Sequence, residues 1–455
     1  MINYDELRQF LKEDQIRHDA ESCLVYGEDW TSIPGQAGIV VFPKTTDEVS
    51  RILKHCHSHN IPIVPSGGRT GLAGGAVASQ GELVLSLEKM NQILDLDPVS
   101  RTITAQAGAV LANLEQAAAE QGLKYPIHLG SAGSCQLGGN IATNAGGVRF
   151  VAYGGTRQHV LGLEVVLADG QILDLDSKLR KDNTGFDLKQ CFIGTEGTLG
   201  VITRATMQLL TAPKPSQVAL FAFEDVKQLN PLITAIFRSR ERALGLEFFT
   251  QSCLTKVLQQ HQKQSPFNEE YPYYLLFEWE SSNLNETPWL NSLFDMKLVV
   301  DGVIAQSQKQ QQQFWAYREL IPEALQTSGT VYKNDLSVPI QDLSNFIEQI
   351  ESLSKSQNQF DILLFGHIGD GNLHINYVSP KTTSFPELVQ LALPIKNKIF
   401  QRVRELKGSI SAEHGIGLLK RQDLKMFQSP LHQKLSLDLK AMLDPTGILN
   451  PGKLL

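Results

Sequence analysis

The chain has 455 residues, 42% hydrophobic and 20% charged, with a formal net charge of -7. This is the composition of a folded globular protein too long for one core, so two or three domains are expected. The negative balance argues against a nucleic-acid backbone as partner, and no run of apolar residues is long enough for a membrane-spanning helix.

The start, MINYDELRQFLKEDQ, is charged and helical in pattern, with neither a signal-peptide core nor an Arg-rich leader, so a cytoplasmic protein is expected. Cys23, Cys56, Cys135, Cys191 and Cys253 form no C-x-x-C pair. That argues against a zinc ribbon or iron–sulfur centre and for buried thiols in a reducing compartment.

Residues 1–33 read as a short helical segment and a polar connector. Gly38–Phe42 reads as a strand, and Thr45 with Glu48 has capping-box spacing before an amphipathic helix reaching about His57. Ile61–Val64 is a second strand, completing a β-α-β unit. Strands at Glu82–Leu87 and Arg101–Ala107 and a helix near Leu111–Gln121 follow. Gly162–Leu175 reads as a hairpin centred on Asp169-Gly170, and Gly200–Leu210 as a further strand. Pro213-Lys214-Pro215 breaks the pattern and marks a domain boundary. Residues 216–380 alternate strands with helices in the manner of an α+β domain. Within them the glutamine-rich Gln306–Gln313 reads as the exposed part of a helix, and residues 386–455 read as mainly helical. The expected domains are 1–33, 34–213, 214–400 and a C-terminal helical segment 401–455 that returns to the first large domain.

Three glycine-rich segments stand beside strands. Pro65-Ser66-Gly67-Gly68-Arg69-Thr70-Gly71-Leu72-Ala73-Gly74-Gly75 offers the backbone N–H nests that bind phosphates. Gly130–Gly147 is small-residued and poor in charge, so a flat ligand can approach its backbone; Gly194–Gly200 is the third. Together they point to an extended cofactor. The Rossmann pattern G-x-G-x-x-G is absent. A P-loop near-match at Gly447…Gly452-Lys453 has Leu454 in place of Ser or Thr and no room for a following helix.

These loops resemble the FAD-binding domain of the vanillyl-alcohol oxidase (PCMH-type) flavoproteins over about residues 34–213. The resemblance implies an α+β protein with a PCMH-type FAD-binding domain of two α/β subdomains, plus an α+β substrate domain. It implies that Pro65, Ser66, Gly67, Gly68, Arg69, Thr70, Gly71 and Leu72 cradle the pyrophosphate. By the same likeness Ser131, Gly138, Gly139, Asn140, Thr143, Asn144 and Gly147 contact the adenine, ribose and pyrophosphate side. Glu196, Gly197, Gly200, Ile202 and the C-terminal Asn450 complete the implied FAD contacts. Some members tether the flavin through a histidine in the first loop; Arg69 stands there, which implies non-covalent FAD.

Phe365-Gly366-His367-Ile368-Gly369-Asp370-Gly371-Asn372-Leu373-His374-Ile375-Asn376 reads as a hairpin. With Asp370-Gly371 as a two-residue type I′ turn, His367 falls opposite His374, and Phe365 opposite Asn376. Alone, the stretch reads equally as an ordinary hairpin with two exposed histidines. Ser411-Ala412-Glu413-His414-Gly415-Ile416-Gly417 adds a carboxylate and another imidazole. Two His and a carboxylate leave open positions on a metal, and a further His beside it suits a base.

Both motifs resemble those of the D-2-hydroxyglutarate and D-lactate dehydrogenases and of glycolate oxidase flavin subunits, which extends the resemblance over nearly the whole chain. It implies that His367, His374 and Glu413 bind a divalent metal, zinc by preference. His414 would then be the catalytic base, and Asn376 would orient a D-2-hydroxy acid. It also implies that Arg318, in Trp315-Ala316-Tyr317-Arg318-Glu319, and Lys333, in Val331-Tyr332-Lys333-Asn334-Asp335, hold substrate carboxylate. The hydroxyglutarate enzymes carry Thr four residues after that Arg, where this chain has Pro322. D-2-hydroxyglutarate is the first substrate, with D-lactate, glycolate and D-malate open. An electron-transferring flavoprotein or a quinone is the implied electron acceptor. A homodimer, a metal-free oxidase using oxygen and a flavin-binding subunit of a larger complex also stay open.

Overall fold

The computed structural model describes residues 4–31, 33–239, 241–281 and 288–455. The chain forms two compact units: residues 1–147, 154–212 and 413–455 in the first, and 148–153 and 213–412 in the second. Each is built around its own sheets.

The first unit carries two principal sheets. One is made of β1 (Ile16–Arg17), β2 (Ile39–Val41), β3 (Ile63–Ser66) and β4 (Leu83–Ser86), in the order β1-β2-β4-β3. Strands β2 and β3 both run parallel to β4, and the helix Thr46–His59 makes the crossover between them. Its N-cap is Thr45, whose hydroxyl accepts the Glu48 N–H at 3.2 Å. The Glu48 carboxylate reaches past the cap to the Lys44 N–H at 2.6 Å. The strand expected at Ile61–Val64 lies two residues later, so Pro65 and Ser66 are strand residues and the glycine loop starts directly at its C-terminal end.

The other sheet is made of β5 (Ile93–Asp97), β6 (Thr102–Gln106), β8 (Val160–Val166), β9 (Ile172–Leu175) and β10 (Val201–Gln208), in the order β5-β6-β10-β8-β9. Short strands β7 (Leu123–Lys124) and β11 (Leu210–Thr211) pair with each other. The hairpin β8–β9 turns at Asp169-Gly170 as its alternation predicts, with Val166 opposite Ile172. β5 was not expected from sequence: its five residues are exposed or half-buried, and only the short alternation Leu94-Asp95-Leu96-Asp97 marks it, with Leu96 packed on the core. One cluster containing Val41, Ile52, Leu85, Ile103, Leu163 and Met207 fills the core.

The C-terminal tail joins the first sheet. Leu449 bridges Ile63 in parallel, the Ile63 N–H donates to Ile448 and the Asn450 N–H to Ile63. Lys440 clamps the same tail, donating to the carbonyls of Thr198 at 2.7 Å and Leu449 at 2.8 Å. Residues 444–453 are thus a run of turns around one bridge, with Gly447, Asn450 and Gly452 at positive φ, where a continuation of the helical segment was expected.

The second unit is one antiparallel sheet: β12 (Ser216–Phe223), β13 (Ala243–Thr250), β14 (Tyr273–Glu280), β15 (Asp301–Ile304), β16 (Thr330–Ser337), β17 (Asp361–His367) and β18 (Asn372–Ser379), in the order β15-β12-β14-β13-β17-β18-β16. Helices Gln251–Gln260, Gln308–Glu319 and Ile321–Ser328 contribute Leu254, Phe314 and Leu325 to a core with Phe249, Leu276 and Phe365. The glutamine-rich stretch starts the helix Gln308–Glu319 on exposed residues, and Phe314 and Trp315 are its buried anchors. Pro322 lies in the first turn of the next helix, where its missing N–H breaks no helical hydrogen bond.

Four cysteines are buried and Cys191 is half-buried, a partial correction to the expectation that all five are enclosed. Burial pushes the Cys56 thiol up to about 12 and the Cys253 thiol to about 11. Among the described residues, no helix is long and apolar enough to cross a membrane.

Candidate functional site

In the first unit the glycine segments line a cavity that opens to solvent. Its walls are Pro65–Gly71 from the first segment, Gly138, Gly139, Asn140 and Thr143 from the second, and Thr195, Glu196, Gly197, Gly200 and Ile202 from the third. Ala107, Leu87, Gln136 and His414 also line it. Close backbone packing shapes it. A Cβ on Gly68 would stand 2.1 Å from the Ser134 carbonyl oxygen, so the first two segments touch through main chain alone.

Not every residue implied for FAD reaches this wall. Leu72, Ser131, Asn144, Gly147 and Asn450 are not among its lining residues. Ser131 accepts the Ser134 and Cys135 N–H groups within its own turn, and Asn144 holds the Arg157 N–H at 2.9 Å. Asn450 donates its amide to the carbonyls of Gly75 at 2.9 Å and Glu196 at 2.7 Å, tying the first segment to the third.

Glu196 does line the cavity, but its carboxylate is spent elsewhere. Its two oxygens accept the N–H groups of Ile416 and Gly417, each at 2.7 Å. Burial pushes this carboxyl above its ordinary range, opposed by those two donors and by Lys420. Gly415, at φ +83°, passes so close that a Cβ there would lie 2.8 Å from Glu196 Oε1. Glu196 is therefore the clamp of the turn that carries Glu413 and His414, whose Oε1 and Nε2 are 3.7 Å apart.

The cavity fits a flavin dinucleotide on its own chemistry. Ser66 Oγ and Gln136 Oε1 are buried at its wall with no hydrogen-bond partner among the described residues, an arrangement that stays costly until a polar ligand answers it. Arg69 lines the same wall with φ +55°, its guanidinium 4.3 Å from the Tyr26 ring centroid. Gln136, missed from sequence, stands two residues before the Gly138-Gly139 pair that signals the wall.

In the second unit the sheet register places the polar candidates on one face. Directly opposed residues of antiparallel strands share a face. Glu247 opposes His367, Phe365 opposes His374, His374 opposes Asp335, and Asn376 opposes Lys333. The hairpin register differs from expectation by two residues: His374 pairs with Phe365, not His367, and Asn376 with Leu363, not Phe365. The loop is Ile368–Gly371, four residues in place of two. Two contacts favour the longer loop. Ile368 is fully buried, and Asp370 accepts the Asn372 N–H at 3.1 Å. An even shift preserves the face, so the two imidazoles still meet, now as diagonal neighbours with ring centroids 5.2 Å apart, edge to face.

Each imidazole has a carboxylate beside its Nδ1, at hydrogen-bond distance for His367 and at a longer ion-pair distance for His374. His367 Nδ1 is 2.7 Å from Glu247 Oε1, and His374 Nδ1 is 3.5 Å from Asp335 Oδ1. A histidine that commits Nδ1–H to a carboxylate presents Nε2 as its lone pair, the arrangement found behind metal-bound histidines. Asn372 donates to Asp335 Oδ1 at 2.7 Å and fixes that carboxylate in turn. Arg318 is buried, its Nε 2.7 Å from Glu247 Oε2 and its guanidinium carbon 4.5 Å from the Phe365 ring centroid. Lys333 is half-buried, and desolvation holds its ammonium below the ordinary range. Asn376 is buried, with its amide 3.4 Å from the Leu363 carbonyl.

Glu247, Asp335 and Asn372 were not singled out from sequence. Glu247 carried the clearest signal: it is the lone charge in Leu244-Gly245-Leu246-Glu247-Phe248-Phe249, and a charge inside an apolar strand needs a buried partner.

The model of the FAD linked oxidases, C-terminal domain, matches residues 212–454, more than half of the chain. The FAD binding domain model matches residues 37–176. A protein of Stutzerimonas stutzeri (strain A1501) named D-2-hydroxyglutarate dehydrogenase is 40% identical over 456 residues, covering 99% of this chain and 98% of its own. The mitochondrial D-2-hydroxyglutarate dehydrogenase of Rattus norvegicus is 40% identical over 96% of this chain and 82% of its own length. The crystal structure of p-cresol methylhydroxylase with substrate bound shares the fold, with a TM-score of 0.77 at 16% identity over 99% of this chain and 95% of that one. The fold is thus the PCMH-type α+β flavoprotein fold expected from the glycine segments. The chain belongs to the FAD-linked oxidase family and is an FAD-dependent oxidoreductase.

Proposed function

We propose that this enzyme is a dehydrogenase that oxidises a D-2-hydroxy acid to the 2-oxo acid, with D-2-hydroxyglutarate as first substrate. The observation that carries the reading is that His414 lines the same cavity as the glycine segments. A base is thereby held beside the cofactor cavity by a turn that Glu196 clamps. The names of the relatives support the substrate.

In this reading residues 34–213 bind FAD without a covalent tether, residues 214–400 bind substrate and metal, and residues 401–455 return to the FAD-binding part. His367, His374 and Glu413 would hold a divalent metal, zinc by preference, which suits their two imidazoles and one carboxylate. When bound, FAD supplies a hydride acceptor at N5, and the metal lowers the pKa of the substrate hydroxyl. His414 takes the hydroxyl proton as the α-hydrogen leaves with its electron pair. Glu247 and Asp335 hold His367 and His374 in the tautomer that presents Nε2. Asn376 orients the substrate, and Arg318 and Lys333 supply charge for its carboxylates. Reoxidation falls to an electron-transferring flavoprotein or a quinone. D-lactate is the second substrate, and Pro322 offers no hydroxyl where the hydroxyglutarate motif has Thr.

The test is anaerobic bleaching of the purified flavoprotein by D-2-hydroxyglutarate, D-lactate, D-malate and glycolate, with and without chelator. Fast, chelator-sensitive bleaching by D-2-hydroxyglutarate is expected, and loss of that bleaching in His414→Asn with substrate binding retained. Bleaching insensitive to chelator overturns the metal, and normal flavin reduction in His414→Asn overturns the base.

A further inference from the structure

Glu6, in the helix Tyr4–Leu7, faces His55 and His59 near the end of the helix Thr46–His59. The two histidines are one helical turn apart and so are neighbours on one face, with ring centroids 4.4 Å apart. Nε2 of His55 lies 3.5 Å, and Nε2 of His59 3.7 Å, from the same oxygen, Glu6 Oε2. One ligand atom from each of the three residues falls within 4.8 Å of the others.

Two observations separate this group from a surface ion pair. The first is the tautomer of His59. Its Nδ1 is 2.9 Å from the His55 carbonyl, which can only accept, so in the neutral ring the proton sits on Nδ1 and the lone pair on Nε2. Ser58 Oγ, 3.0 Å from the same Nδ1, is placed to accept as well, because its own hydroxyl can donate to the His55 carbonyl at 2.9 Å. The second is the burial of His55. Its side chain is 10% exposed, and among the described residues its enclosed Nε2 has no hydrogen-bond partner beyond the ion-pair contact with Glu6. Burial and the neighbouring His59 hold His55 below its ordinary pKa against the pull of Glu6.

The spacing is that of a coordination polyhedron. Metal bonds of about 2.0–2.2 Å at tetrahedral angles put ligand atoms roughly 3.3–3.5 Å apart. The observed 3.5 and 3.7 Å need to close only slightly. The helix ends at His59 with Asn60 as its cap, so a cation here lies at the negative end of the helix dipole.

We propose that Glu6, His55 and His59 form a site for a divalent cation of the zinc class, completed by water, which staples the N-terminal helix to the helix Thr46–His59. Two imidazoles and a carboxylate select zinc, nickel or copper over magnesium and calcium. The site involves none of His367, His374 and Glu413.

The test uses Zn²⁺ alone, titrated calorimetrically into tag-free, metal-stripped flavoprotein carrying His374→Ala, so that the metal of the proposed reaction does not contribute. One equivalent of Zn²⁺ is expected to bind and to raise Tm. Adding His59→Ala, on a ring whose side chain is 51% exposed, is expected to weaken that binding at least tenfold and to abolish the Tm rise. Glu6→Gln is expected to weaken it as well. In the otherwise wild-type chain His59→Ala should leave flavin reduction unchanged. Zn²⁺ binding that is absent, or equally tight with and without His59→Ala, overturns the site whatever the bleaching experiment shows.

Discussion

Replacing Glu247 is the sharpest test of how the second unit is held. Its side chain is fully buried, with one oxygen 2.7 Å from Arg318 Nε and the other 2.7 Å from His367 Nδ1. Glu247→Leu removes the carboxylate and strands a guanidinium that is itself only 4% exposed. Removing one partner of a buried ion pair costs about 3–5 kcal/mol, because the remaining charge is left unpaired in a poorly polarisable interior. The face of Phe365 beneath the guanidinium recovers part of that, so the lower half of the range is expected. In a unit of roughly two hundred residues each kcal/mol moves Tm by about 2–4 °C, so the second unit should melt roughly 6–16 °C earlier. Adding Arg318→Leu should restore at least about 1 kcal/mol of the loss, since an apolar pair tolerates burial where a lone cation does not. The assay is thermal and urea unfolding of wild type, both single variants and the double variant, read as a mutant cycle. A loss below about 1 kcal/mol for Glu247→Leu, the value of an exposed pair, refutes the argument. So does a double variant no more stable than Glu247→Leu.

Three further outcomes are expected. Gly68→Ala drives a methyl group into the Ser134 carbonyl and should part the first two glycine segments; purified protein should lose most of its bound flavin, measured as the ratio of flavin to protein absorbance. Glu351, whose carboxylate accepts the Tyr273 hydroxyl at 2.8 Å, has a pKa raised by burial above its value of 4.5. The folded state thus holds the proton longer than the unfolded one, and stability falls as pH rises from 4.5 through the raised value. Glu351→Gln removes that slope, so its Tm relative to wild type should climb over this window, and a constant difference contradicts the assignment. Finally, native protein should present one fast-reacting thiol, Cys191, and all five only after denaturation; rapid native labelling of Cys56 would contradict its burial.

Much of the site was legible because its signals are local. The three glycine segments, the first directly after β3 and the third directly before β10, gave away the cavity wall, since backbone N–H exposure is a property of those residues themselves. The hairpin was legible for the same reason, and its face survived an incorrect turn. His374 and Asn376 share a face through strand periodicity alone, and a two-residue slip left His367 on that face. Strand β5 and the tail against Ile63 were not legible, because β5 is five exposed or half-buried residues and the tail pairs through a single bridge, too short a stretch for a periodic pattern to stand out.

By itself, then, the amino-acid sequence determined what depends on short-range geometry: the glycine loops, the helix caps, the alternation that sorts side chains between two faces. Only the tertiary structure decided which residues serve others at a distance. Glu247 meets His367 from 120 residues away, and Glu196 clamps the His414 turn from 220. Such partners are chosen by strand register and by the need of each buried charge for a counterpart, and both are settled only when the separate elements pack.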